Sequence, residues 1–481
     1  MAESLKQKTA RGLFWGGTMN ALQQVLNLAF GICLGRLLTD SDYGMVGMLT
    51  IFSAVAGALQ EGGFISALNK RKDVTDADYN SVFWFNTLVS AGLYAVLFFC
   101  APLIARFYGE PALVPLARFL FLGFFITALN IVPRARMFRE MRVKANMLII
   151  LTAQVVSGAV GIVLAWNGFA YWGIATQTVV YVSTITLLCY ATTRWRPSFR
   201  FTFQPVREMF GFSSRLIVTS LANILNQNLL SVLLGRFYTR ADVGNFTQAN
   251  KWNYMGHSTL TNMLWGVAQP VLTKVDEDPA RQQAVFRKLL RFAAFVSFPA
   301  MFGLCLVSRE FIYITITPKW EPAVPMLQLL CLWGAFVPVQ SLFCNLLISR
   351  GRSDWYMWGT LALVGAELAG VLAVNSLGVA MILRIFVATN IAWLFVWHAL
   401  VHRETGLRLH HVLLDLAPYF FLAAALCLAA AYLSSYLSGL WLKLVFKVVF
   451  VGALYIIILY MSGSVILRES LLFFRKKKEE G

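Results

Sequence analysis

Apolar residues run through this chain in windows of 20 or more, divided by glycine, proline and short charged clusters. The windows fall at 12–37, 43–68, 79–105, 112–133, 145–166, 169–193, 208–235, 243–271, 288–308, 322–349, 355–374, 378–401, 412–434 and 440–467. Each is long enough to cross a hydrocarbon core of ~30 Å as a helix, so the pattern predicts about fourteen spans. An even number places both ends on one side. Lys6, Lys8 and Arg11 precede the first window as they would in a signal peptide. That window, however, continues to about Leu38 and carries a polar stripe, which reads as a retained first span.

Polar positions inside the windows are ordered. In span 1, Asn20, Gln23, Gln24 and Asn27 stand at i, i+3, i+4 and i+7, on one helical face. Ser220, Asn223 and Gln227 of span 7 occupy the positions 200 residues after Asn20, Gln23 and Asn27. The connections after these spans repeat as well. Leu34-Gly35-Arg36-Leu37-Leu38-Thr39-Asp40-Ser41-Asp42-Tyr43-Gly44 returns as Leu234-Gly235-Arg236-Phe237-Tyr238-Thr239-Arg240-Ala241-Asp242-Val243-Gly244. Gly, Arg, Thr, Asp and Gly match without a gap, the pattern of a two-lobed membrane transporter with its substrate path between the lobes. The Gly35/Gly44 and Gly235/Gly244 junctions suit external hinges or gate contacts, and simple turn formation accounts for the glycines equally well.

Composition agrees with the membrane reading: 58% of the 481 residues are hydrophobic and 13% charged, against about 25% charged in soluble domains. The net charge of +18 is spread in short clusters between apolar runs, not gathered on one surface as nucleic-acid binding requires. Of the 41 lysines and arginines, with those toward a window's end counted in the adjoining connection (Lys447 among them), the N-terminus, even-numbered connections and C-terminus hold 29 and the odd-numbered connections 9, leaving Arg215, Lys251 and Arg384 within spans. The positive-inside rule then places both termini in the cytoplasm. Arg475-Lys476-Lys477-Lys478 is a fitting anchor near anionic lipid. Cys33, Cys100, Cys189, Cys305, Cys331, Cys344 and Cys427 stand singly in apolar stretches, with neither disulfide nor metal spacing. Phosphate loops, zinc-type histidine pairs and nucleophile elbows are missing, so no cofactor or metal is expected. No connection is long enough for a soluble domain, which weighs against a membrane glycosyltransferase or polysaccharide polymerase.

Polar groups in hydrocarbon are expensive and should face protein or water. The stripes of spans 1 and 7 suit facing walls of one cavity; interhelical hydrogen bonding is the structural alternative. Span 8 is the most polar, and Gln248, Lys251, Met255, Ser258 and Asn262 form a seam along it. Lys251 lies eight residues past the connection, roughly 12 Å deep, where an ammonium needs an anionic partner such as a pyrophosphate. Snorkelling to the interface is the alternative. Arg215, near the cytoplasmic start of span 7, is a second basic candidate. Glu367 and Arg384 in spans 11 and 12 are expected to pair with each other, and Glu61 in span 2 to carry a proton or to partner Lys70 or Arg71. Glu61, Glu367 and Arg384 are thus the ion-coupling candidates, and His257 is expected to pack.

These residues resemble the polysaccharide-flippase (Wzx-like) branch of the multidrug/oligosaccharidyl-lipid/polysaccharide exporter superfamily, most closely exporters of lipopolysaccharide O-antigen and exopolysaccharide. The resemblance covers nearly the whole chain. It is carried by Gly35-Arg36-Leu37-Leu38 with Asp42-Tyr43-Gly44, Gly63-Phe64-Ile65-Ser66-Ala67-Leu68, Phe83-Trp84-Phe85-Asn86 and Ala101-Pro102-Leu103-Ile104-Ala105-Arg106-Phe107-Tyr108. Gln269-Pro270-Val271-Leu272, Phe298-Pro299 and Trp320-Glu321-Pro322-Ala323 continue it in the second half. The pattern departs at Asn245-Phe246 and Thr317-Pro318. The resemblance implies an all-α polytopic fold: two six-helix lobes, 1–200 and 201–405, a final helix pair within 406–481, and a V shape around a central cavity. It also implies a non-enzymatic role in the bacterial inner membrane, carrying polyprenyl-pyrophosphate-linked oligosaccharide to the periplasmic leaflet by alternating access. Membrane lipids and other polysaccharide-assembly membrane proteins are the implied partners. A cation-coupled multidrug exporter is the nearest rival, though it predicts acidic residues where span 1 carries amides; a peptidoglycan-precursor flippase is the second.

Overall fold

A computed structural model describes residues 22–61, 75–140, 142–198 and 203–469. Among them, α-helices account for nearly all regular structure. They are α1 (22–37), α2 (Asp40–Gly47), α3 (Thr50–Glu61), α4 (Asp76–Tyr108), α5 (Leu113–Arg139), α6 (Val143–Trp166), α7 (Tyr171–Thr193) and α8 (Phe203–Phe237). There follow α9 (Arg240–Thr273), α10 (Pro279–Ile316), α11 (Ala323–Gly334), α12 (Val337–Ser349), α13 (Ser353–Val374), α14 (Val379–Thr405), α15 (Leu409–Ser434) and α16 (Leu440–Met461). Helices α2 with α3, and α11 with α12, each correspond to one expected span, so the described helices follow the fourteen windows in order. Among the described residues, ten segments are long and apolar enough to cross a membrane. Helix α9 has the length, at 34 residues, yet is too polar to be one of the ten.

Helix ends reach beyond the apolar windows. Span 9 was expected at 288–308, whereas α10 runs over 38 residues from Pro279 to Ile316. A helix continues past the hydrocarbon wherever its backbone stays bonded and its end is capped. Asp278 supplies that cap, its carboxylate accepting from the backbone N–H of Ala280 and Arg281, with Pro279 in the first turn. Three helices start with the same reciprocal device. Thr39 Oγ1 accepts from Asp42 N at 3.3 Å while Asp42 Oδ2 accepts from Thr39 N at 2.9 Å. Thr75 with Asp78 and Thr239 with Asp242 repeat this box. The conserved spacing of threonine and aspartate in the 200-residue repeat is therefore a helix-start signal, worth ~1 kcal/mol per cap.

Span 10 is broken where the window gave no sign. Pro338 has no N–H to offer the Gly334 carbonyl, so α11 ends at Gly334 and α12 starts at Val337. The Ser297 hydroxyl donates to the Ala335 carbonyl at 2.8 Å, satisfying one backbone group freed by the break.

The chain forms two compact units, Met1–Gly244 and Asn245–Gly481. In the first, α6 packs on α7, α5 on α4 and α7, and α8 on α3 and α4. In the second, α10 is the central post: α11, α12, α15 and α16 all pack against it. A large cluster in this unit includes Phe286, Phe343, Trp397 and Val401. Gly359 meets the Trp397 ring so closely that an added Cβ would lie 2.6 Å from it.

Charged side chains fasten the last two helices to α10. Asp415 of α15 takes Arg287 Nε at 2.6 Å and Nη2 at 3.1 Å. Lys288 pairs with Glu469 at 2.7 Å. Deepest is Lys447 of α16, which donates to Glu310 at 2.6 Å and to the Leu306 carbonyl at 3.2 Å. Both partners are almost wholly buried, at 10% and 7% side-chain exposure. Counting by position had assigned Lys447 to the connection before the last span; the structure sets it inside that helix.

Removing one partner of a buried ion pair strands the other charge, at a cost of about 3–5 kcal/mol. Lys447→Met alone should therefore lower the thermal midpoint of the detergent-solubilised protein. Adding Glu310→Leu should recover most of the loss, and a double variant no more stable than the single would show that the pair is not what joins α16 to α10.

Candidate substrate path

The polar stripes include side chains that hold helices together and others that stand at the helix surface. In the first unit, α1 lies on α6, with Phe30 filling the space beside Gly158. Asn27 Oδ1 accepts from Gln154 Nε2 at 2.5 Å, so Asn27 serves helix packing. Such bonds average about 0.6 kcal/mol in membranes. Gln24 is exposed and Gln23 half-buried one turn earlier. On α8, Ser220 and Gln227 are exposed and Asn223 is half-buried. Asn228 turns back on its own helix, its Nδ2 donating to the Ile224 carbonyl at 2.9 Å. Asn20 and the side chains of Glu61 and Arg215 lie outside the described residues.

Helix α9 carries the densest polar surface. Gln248 is fully buried, and neither its Oε1 nor its Nε2 has a partner among the described residues. Asn253 is also buried, and its Oδ1 sits against Gly334, where an added Cβ would come within 2.3 Å. Ser258 is buried, Met255 half-buried and Asn262 exposed, so the seam runs from a covered end to an open one. Lys251 is half-buried on this seam, its Nζ 5.4 Å from the centre of the Trp252 ring. The helix begins at Arg240, three residues before the window, which sets Lys251 about 16 Å from the helix start instead of 12 Å. None of the ion pairs among the described residues involves it. His257 packs as expected: it is buried beside Tyr254, and Thr261 Oγ1 donates to its carbonyl at 2.9 Å.

The acidic site of spans 11 and 12 differs from expectation in its partner. Helices α13 and α14 do pack side by side. Glu367 is buried, but Oε1 accepts from Asn390 Nδ2 at 2.7 Å, while Arg384 is exposed. Six residues separate Arg384 from Asn390, a rotation of about 120° around the helix, so one cannot stand in for the other. Reading by charge alone favoured the arginine and passed over the amide, and missed Glu310, Lys447 and Asp415 as well. Their signal was present as charges set within apolar runs.

One cavity in the second unit, of about 280 Å³, is lined by Phe298, Phe343, Leu394, Leu413, Phe420 and His398 among others. Walls of this kind suit hydrocarbon and offer a sugar almost no hydrogen bonds. The polar seam of α9 is the better candidate for a hydrophilic passenger.

A family described as polysaccharide biosynthesis protein matches residues 33–325. The lipopolysaccharide biosynthesis protein WzxC of Escherichia coli (strain K12) is 24% identical over 391 residues, 77% of this chain and 78% of that protein. The teichuronic acid biosynthesis protein TuaB of Bacillus subtilis (strain 168) is 25% identical over 424 residues, 87% and 86% of the two chains. Among solved structures, the lipid II flippase MurJ in an inward closed conformation superposes with a TM-score of 0.77 at 12% identity, covering 95% of this chain and 99% of that one. An inward-facing multidrug resistance MATE family transporter gives 0.66 at 18% identity, over 80% and 94%. These likenesses establish the fold.

The reassigned partner of Glu367 is open to measurement. Asn390→Leu removes the donor of a buried carboxylate and should cost about 1–3 kcal/mol; Arg384→Ala, on the exposed face, should change stability by less than about 0.5 kcal/mol. Chemical denaturation in detergent compares the two, and a larger loss from Arg384→Ala would return the carboxylate to the arginine.

Proposed function

Because this chain belongs to the polysaccharide biosynthesis protein family, as a Wzx-like multi-pass transporter of the inner membrane and not an enzyme, we propose that it flips polyprenyl-pyrophosphate-linked glycan repeat units. The direction is from the cytoplasmic to the periplasmic leaflet, for O-antigen, capsule or exopolysaccharide assembly. The observation that carries this reading is α9: a helix long enough to span, with a buried amide that has no partner among the described residues and a lysine about 16 Å from its start.

The mechanism is physical. A sugar headgroup loses several kcal/mol for each hydroxyl stripped of water without replacement. Asn20, Gln23, Gln24, Asn27, Ser220, Asn223, Gln227, Gln248 and Asn262 are the polar groups proposed to replace that water, with Asn27 already engaged by Gln154. Lys251 and Arg215 offset the pyrophosphate charge. The lipid tail remains in the bilayer, and rocking of lobes 1–200 and 201–405 exposes the headgroup to alternate sides. The final helix pair stays with the second lobe, fastened by the pairs to α10. The lysine and arginine asymmetry sets both termini in the cytoplasm. Coupling falls to Glu61, Glu367 or Arg384, of which Glu367 has the carboxylate seen to be buried.

Two measurements test this. Deletion in the native host should leave complete repeat units on their lipid carrier at the cytoplasmic leaflet, whereas unfinished units would point to a synthetic enzyme. Lys251→Ala should reduce export at least ten-fold with protein abundance unchanged; normal export would take Lys251 out of the path.

A further inference from the structure

Helices α14 and α15 follow one another in the chain, joined only through Gly406, Leu407 and Arg408. Elements joined so briefly usually lie side by side. These two make little contact: α14 packs on α11, α12 and α13, and α15 on α10 and α16. The turn between them is nonetheless fixed. His398 Nε2 and His402 Nδ1 both reach the Leu407 carbonyl, at 3.1 Å and 2.9 Å. A cleft between the two helices is therefore built into the fold of the second unit.

That cleft is the apolar cavity of about 280 Å³. On α15 its wall runs from Leu409 to Phe421 at every third and fourth position, about 18 Å of one helical face. Phe298 of α10 with Val339 and Phe343 of α12 form a buried floor, while Phe395, Leu413 and Phe421 are exposed at its lips. Such a slot excludes water, and its walls gain dispersion contacts only from another hydrocarbon.

The wall ends at charge. Arg408 directly precedes Leu409, and Arg403 stands in the last turn of α14. Both are exposed, and no ion pair among the described residues involves either. The carboxylates of these segments are already matched, Glu404 to Arg352 Nε at 2.6 Å and Asp415 to Arg287 Nε at 2.6 Å. His410 and His411 lie beside Arg408, their rings 4.0 Å apart.

We propose that this cleft holds one acyl chain of an anionic membrane phospholipid, with the phosphate against Arg403 and Arg408. The site goes beyond the transport reading, for no residue of α9 lines it. Arginine meets phosphate through charge-assisted hydrogen bonds, and basic residues attract anionic lipid one by one. Size selects as well. Drug-sized ligands occupy ~300–1,000 Å³, so about 280 Å³ admits a stretch of a single chain and not the bulk of a long polyprenyl tail. Bound there, the chain joins α14 to α15, which their own side chains barely do.

The test uses the full chain in phosphatidylcholine vesicles containing a trace of phosphatidylglycerol with a photoreactive diazirine in one acyl chain. Label should map to residues 391–421 and exceed that from diazirine phosphatidylcholine roughly five-fold for each arginine engaged. Arg403→Gln with Arg408→Gln, both on the surface, should bring the two lipids level. Ala417→Trp, which fills the cleft, should abolish the label with helix content unchanged. Equal labelling by the two lipids in the unaltered protein would overturn the anionic headgroup. Label spread evenly over the lipid-facing helices, or surviving Ala417→Trp, would overturn the cleft. Displacement of the phosphatidylglycerol by an equal amount of polyprenyl phosphate would also refute the proposal, giving the cleft to the tail of the carried lipid instead.

Discussion

Hydrocarbon supplies no hydrogen bonds, so a polar group carried into it must find a partner within the protein or a watery space beside it. That constraint orders the polar residues of this chain. Asn27 with Gln154, Asn130 with Thr186, Glu367 with Asn390 and Lys447 with Glu310 are each solved by a neighbouring helix. Even the backbone obeys it: where Pro338 interrupts span 10, Ser297 reaches across to the Ala335 carbonyl. Gln248 has no such solution among the described residues. Gln248 therefore stands apart from the amides that packing explains.

Membrane helices were legible because their hydrophobic windows reflect bilayer thickness. Their ends were less so, since capping by Asp278 or by the Thr-Asp boxes extends helices into water without changing hydropathy. The proline break was also missed: it lies within an unbroken apolar run and depends on a single absent N–H. The 200-residue repeat was plain in the sequence, but its meaning was divided. Threonine and aspartate serve a local helix start, whereas the terminal glycines serve a contact between distant segments. A local pattern can be read locally; the second needs the fold.

Candidate-site residues fared according to how much their role depends on a partner. Type and spacing found the amides of α8 and α9, because periodicity reports which residues share a face. They could not tell that Asn27 is occupied by Gln154 while Gln24 remains open, since that depends on what α6 presents to α1. Charge matching failed in the same way for Glu367. An arginine is the stronger partner in principle, but the helix turned Asn390 toward the carboxylate instead.

The same reasoning separates Lys251 from the other basic residues. Arg287, Lys288 and Lys447 are each committed to a carboxylate, and each thereby fastens α15, α16 or the segment after them to α10. Their charge is spent on architecture and is unavailable to a ligand. Lys251 instead has an aromatic face beside it, an interaction that stabilises a cation without neutralising it. Retaining such a charge within a spanning helix is costly, and the cost is offset when an anion is bound. In the function proposed above, that anion is the pyrophosphate. In that proposal, ion pairs hold the helices of the second unit together, while Lys251, which joins no ion pair among the described residues, meets what is moved.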